Sequence, residues 1–71
     1  MFGESVCYSE FAVEVKNESG FVRQLDIFPS CEAAAGFQAV CGEPLLPGEY
    51  LDITCIDYDQ FGNEISAYSV A

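Results

Sequence analysis

Strict alternation of apolar and polar positions dominates this chain. Between residues 49 and 70 it predicts a long β-hairpin: in the first arm Leu51, Ile53 and Cys55 share one face, and Tyr50, Asp52, Thr54, Ile56 and Tyr58 the other. Asp59, Gln60, Phe61, Gly62 and Asn63 form the predicted turn. On the return arm Ile65, Ala67 and Ser69 are expected on the core side, with Glu64, Ser66, Tyr68 and Val70 facing water. Residues 4–16 alternate in the same way, with Cys7, Phe11, Val13 and Val15 opposed to Tyr8, Glu10, Ala12, Glu14 and Lys16. The turn signal at residues 17–20 ends in Gly20 and leads into a second arm over residues 21–28. That arm places Phe21, Leu25 and Ile27 on the core side together with Arg23, a charge that must snorkel to an edge. Val22, Gln24, Asp26 and Phe28 take the other side.

Pro29 and Ser30 break the strand pattern. Ser30 is a good N-cap, Glu32 complements the helix dipole, and Gly42 stands where a C-terminal cap belongs. A helix over residues 31–41 is predicted, presenting Ala33 or Ala34, Phe37, Val40 and Cys41 on one stripe. Gly36 in mid-helix would be accounted for by a close approach to the sheet. The loop at residues 43–48 carries two prolines and a glycine, and its two leucines are expected to tuck under the sheet.

The element order is therefore β-β-α-β-β, an α+β fold in which one helix covers one face of a four-stranded antiparallel sheet. A right-handed crossover spanning the first strand gives the spatial order 2-1-3-4; the order 1-2-3-4 is the alternative. Seventy-one residues with no linker or repeat read as one domain, residues 1–71.

Charge sharpens this picture. Twelve carboxylates against Lys16 and Arg23 give a formal net charge of −10, while 51% apolar residues argue against disorder. Such a balance disfavours direct nucleic-acid or membrane contact and favours a basic protein or ribonucleoprotein partner. No basic leader or membrane-length apolar run is visible, so the expected location is the cytosol and the four cysteines are read as thiols. Cys7 and Cys55, on the core faces of neighbouring strands, are the one pair for which a disulfide is conceivable. With no histidine and no CxxC spacing, no metal or cofactor is expected. The turn at residues 57–68 lacks two of the ligands a calcium loop needs, at Phe61 and Tyr68. No nucleophile and base combination suggests an enzyme.

What stands out is the predicted water face. It gathers Tyr8, Glu10, Glu14, Asp26, Tyr50, Asp52, Tyr58, Glu64 and Tyr68, all four tyrosines among them. Tyrosines stack on arginine and carboxylates accept its paired N–H groups, so these nine residues are the candidate partner-binding set.

Ser30, Cys31, Glu32 and three alanines open the helix, residues 48–53 lead into the third strand, and residues 57–65 make the last turn. In this arrangement the chain resembles small proteins of phages and mobile elements, and is similar in size, topology and acidity to some anti-CRISPR proteins. These include type I inhibitors that sit on the guide-RNA surveillance complex. The resemblance implies a stoichiometric inhibitor, monomeric or weakly dimeric, whose acidic face mimics DNA on a basic surface. It carries no functional residue over by motif, and this chain lacks the lysines that such inhibitors can use. The alternative is a self-associating virion or assembly module that pairs through its sheet edges.

Overall fold

The computed structural model describes residues 6–70, so residues 4 and 5 of the predicted first strand lie outside the described residues. Five elements follow in order: β1 (Tyr8–Asn17), β2 (Gly20–Phe28), α1 (Cys31–Val40), β3 (Tyr50–Tyr58) and β4 (Glu64–Ser69). The fold is α+β, and the four strands form one antiparallel sheet in the order β2-β1-β3-β4. The connection from β2 through α1 to β3 crosses over β1.

Each junction has a local cause. Asn17 Oδ1 accepts from the Ser19 backbone N–H at 2.8 Å, and Gly20 takes φ 113° to close the first hairpin. Ser30 caps α1: its hydroxyl accepts from the Ala33 N–H at 3.1 Å. Gly42, at φ 62°, lies one residue beyond the C-cap Cys41 and ends the helix in the left-handed region.

Val13 and Ile53 are cross-strand partners on the two central strands, and with Ala34 of α1 they form the buried core. Phe11, Leu25, Phe28 and Phe37 pack around them, the rings of Phe28 and Phe37 lying 5.2 Å apart. Burying each such aliphatic side chain contributes about 1.5–3 kcal/mol. The core is thin, and several apolar residues expected in it are outside. Val40 is exposed because the buried stripe runs through Ala34 and Phe37 and then Gln38, whose Nε2 donates to the Leu51 carbonyl. Leu45 and Leu46 do not tuck under the sheet; both are exposed. A Cβ added at Gly36 would meet nothing within 4 Å, so no close approach to the sheet accounts for that glycine.

β-Bulges interrupt the alternation. β2 carries two, and they re-phase it. Phe28 pairs with Phe11 and turns to the helix side, whereas Ile27 pairs with Ala12 and Phe21 with Lys16 on the open side. Phe28, Ile27 and Phe21 thus all reverse the faces expected from alternation. Arg23 reaches from the helix side to the loop before β3: its guanidinium lies 2.9 Å from Glu43 Oε2 and 3.7 Å from Glu49 Oε2, and it donates to the Pro44 carbonyl. A third bulge separates Asp57 and Tyr58 on the β4 side, so Tyr68 pairs with Cys55 and Ser66 with Asp57. Both therefore stand on the helix-side face, and Ala67 and Ser69, paired with Ile56 and Thr54, stand on the open face, each opposite to the expected placement.

Candidate functional site

The open face is built in cross-strand rows. At one end Tyr8, Tyr58 and Glu64 stand side by side across β1, β3 and β4. Glu10 and Ile56 follow, then Ala12 and Thr54, then Glu14 and Asp52, and finally Lys16 and Tyr50. Seven of the nine candidate residues are thus brought to one face: Tyr8, Glu10, Glu14, Tyr50, Asp52, Tyr58 and Glu64. The other two leave it. Tyr68 goes to the helix side with the β4 bulge, and Asp26 stands opposite the core residue Val13, its carboxylate accepting from the Ile27 N–H at 2.8 Å.

The seven are not equivalent. Glu14 and Asp52 face each other directly across the strands and are only 9% and 8% exposed. Two carboxylates so placed repel unless compensated. Compensation comes from Lys16, whose Nζ donates to Asp52 Oδ2 at 2.6 Å and lies 3.9 Å from Glu14 Oε1. Thr54 donates its hydroxyl to Glu14 at 2.6 Å, and Ser69 donates to Asp52 at 3.0 Å. Burial pushes the Asp52 carboxyl up, yet the Lys16 and Ser69 hydrogen bonds and the Lys16 charge outweigh it and hold the pKa below its usual value. These two acids are spent on holding the face together.

The other end is unlike this. The rings of Tyr8 and Tyr58 stack at 4.9 Å with 15° between their planes. Tyr8 is half exposed, Glu64 is exposed, and Glu10 is half-buried. Burial raises the Tyr58 pKa, and so do its hydrogen bond to Glu10 and the nearby charges of Glu10 and Glu64. The adjoining turn is rigidly built: Asp59 accepts from the N–H groups of Phe61 and Asn63, and these hydrogen bonds hold its pKa down.

A second polar cluster lies on the helix-side face, and alternation alone had not singled it out. Asp57, 8% exposed, accepts from Ser9 Oγ at 2.5 Å, from Ser66 Oγ at 3.0 Å and from Cys55 Sγ at 3.5 Å. The Ser9 hydrogen bond lowers its pKa, burial opposes the shift, and the Ser66 and Cys55 hydrogen bonds reinforce it. The Tyr68 pKa is raised by its hydrogen bond to Cys55 and by the charge of Asp57. A signal for this cluster was present in the sequence: Asp57 falls on the apolar phase of β3, after Leu51, Ile53 and Cys55, where a carboxylate must find donors. A carboxyl held below its ordinary pKa is a weak base, so the arrangement suits hydrogen bonding better than proton transfer.

Cys55 faces Phe11, not Cys7, which lies four residues further along the strand, about 13 Å away, and is exposed. All four cysteines are unpaired. Among the described residues no group of three or more His, Cys, Asp or Glu side chains could hold a metal ion, and no helix is long and apolar enough to cross a membrane. A shallow notch of about 270 Å³ opens where β4 stops short of the start of β3, lined by Gln38, Leu51, Asp52, Ile53 and Val70. No protein-family model, curated protein or solved structure matches the chain.

Proposed function

We propose that this chain is a non-catalytic binding protein that engages a basic, nucleic-acid-handling protein through the open face of its sheet and competes with nucleic acid for that surface. An inhibitor of a CRISPR surveillance complex or effector, as the sequence resemblance implies, is the specific instance. One observation carries the reading: both basic side chains of the chain are consumed internally, Lys16 by Asp52 and Glu14, and Arg23 by Glu43 and Glu49. The acids left outward-facing, Glu10 and Glu64 on the open face among them, have no lysine or arginine to offset them, and a field of one sign favours a partner of the other.

The test is capture of purified surveillance complexes and nucleases by the intact chain, with duplex DNA as competitor, repeated with Glu10→Lys and Glu64→Lys together. Asp52 is unsuited to reversal because it anchors Lys16. DNA-competed capture that the double reversal abolishes is the expected result; capture indifferent to DNA and to the reversal overturns the reading.

A self-associating module is the second reading. β4 supports it, because residues 65–69 form an uncharged, proline-free strand at the edge of an otherwise acidic molecule, whereas the opposite edge strand β2 is blunted by its two bulges. Light scattering on a size-exclusion column separates the two readings: a mass that doubles with concentration favours assembly.

A further inference from the structure

The two ends of the open face differ in whether a cation holds their carboxylates. At the Lys16 end Lys16 bridges Glu14 and Asp52. At the Tyr8 end the stacked rings of Tyr8 and Tyr58 stand in one cross-strand row with Glu64, Glu10 follows Tyr8 two residues along β1, and no lysine or arginine is near. Lys16 lies six residues from Glu10, about 20 Å along the strand, and is committed to Asp52. β2 stops opposite Phe11, so among the described residues no strand flanks Tyr8 on its outer side, and Tyr8 is 46% exposed. Its hydroxyl lies beside Gly62 of the adjoining turn, 3.7 Å from where a Cβ on that glycine would lie.

We propose that Tyr8, backed by Tyr58, and Glu10 form a subsite for one arginine side chain of the protein partner. The inference rests on the reading that the open face docks a basic protein. A guanidinium is planar and weakly hydrated, stacks on an aromatic face and offers N–H groups in a fixed fork to carboxylates. The outer face of Tyr8 supplies the stacking surface, with Tyr58 backing the ring from the other side, and the Glu10 carboxylate, two residues along the same face of β1, supplies the acceptor. An ammonium gains the charge attraction but not the stacking, and it keeps its water. The subsite therefore discriminates arginine from lysine, which a diffuse acidic surface does not.

The experiment titrates the chain with oligo-arginine and oligo-lysine peptides of equal length, following the tyrosine ring signals by NMR. The arginine peptide is expected to bind about tenfold tighter, the equivalent of about 1.4 kcal/mol. Tyr8→Leu removes that preference and leaves lysine-peptide affinity within about twofold, Tyr8→Phe retains it, and Tyr50→Leu at the opposite end leaves it intact. Equal affinity for the two peptides, or a preference that survives Tyr8→Leu, overturns the subsite. A DNA-competed partner that binds Tyr8→Leu as well as the parent chain overturns the subsite and leaves the wider reading standing. An arginine preference with no DNA-competed partner supports the subsite and overturns the wider reading.

Discussion

Two buried acidic clusters, one on each face of the sheet, solve the same problem by different means. Glu14 and Asp52 are held by an ion pair with Lys16 and by two hydroxyls, whereas Asp57 is held by two serines and a thiol with no cation at all. A carboxylate can be taken out of water if each of its oxygens accepts enough donors; a compensating charge becomes necessary when a second carboxylate stands opposite. Asp57 faces Ser9 and Ser66 across the strands, and Asp52 faces Glu14. The identity of the cross-strand neighbour decides which solution is needed.

The comparison breaks most visibly at Lys16. Lys16→Met leaves two carboxylates opposed without a cation and should cost about 2–3 kcal/mol in urea unfolding, less than for a fully buried pair because the side chains keep some water. Adding Asp52→Asn should recover most of that loss, since the like-charge pair is then gone. If the double variant is as unstable as the single one, repulsion is not what Lys16 relieves.

A smaller effect is expected in the other cluster. Ser9→Ala and Ser66→Ala each remove one donor to Asp57 and should each cost about 1.5 kcal/mol, read by the same unfolding curves. The double variant's loss should exceed their sum if, in each single variant, the remaining serine tightens on the carboxylate. Raising salt to on the order of 1 M should weaken the Lys16 cluster and leave the Asp57 cluster unchanged, because only the first contains a cation.

The clusters differ least in their response to acid. Asp52 and Asp57 both have folded-state pKa values below the ordinary 3.8. Their contribution is therefore complete above that value and is lost as the pH falls through the folded-state pKa. Thermal unfolding followed downward from pH 5 should show this loss in the parent chain and less of it in Asp57→Asn. An equal loss in both places the acid-labile contribution elsewhere.

The sequence showed the helix with its serine cap and terminal glycine, the two hairpins and the central alternation of β1 and β3, because each of these has a local chemical signal; the strand order 2-1-3-4 came from the general handedness of crossovers, which left 1-2-3-4 open until the pairing of β1 with β3 decided it. Seven of the nine candidate residues were placed correctly on that basis. Tyr68, Asp26, Phe28 and Ile27 were misplaced for a single physical reason: a bulge adds one residue to a strand, and every side chain beyond it changes face. No residue type marks these bulges. Leu25 and Ile65 are ordinary strand formers, and the register is set by pairing with β1 and β3. The compensation of Glu14 and Asp52 was equally hidden, since it depends on cross-strand register, which a single strand's pattern does not contain.

That third bulge gives the molecule a point of tolerance to changes in chain length. β4 pairs with β3 through Glu64, skips one residue, and resumes at Ser66. Deleting the single codon for Ile65 would erase the skip and still leave Ser66 opposite Asp57 and Tyr68 opposite Cys55, because Ile65 is the one residue of the strand without a partner. The strand can thus shed a residue with no other side chain changing face, whereas a one-residue insertion beside it would have to be absorbed in the same bulge or turn Ser66 and Tyr68 to the opposite side.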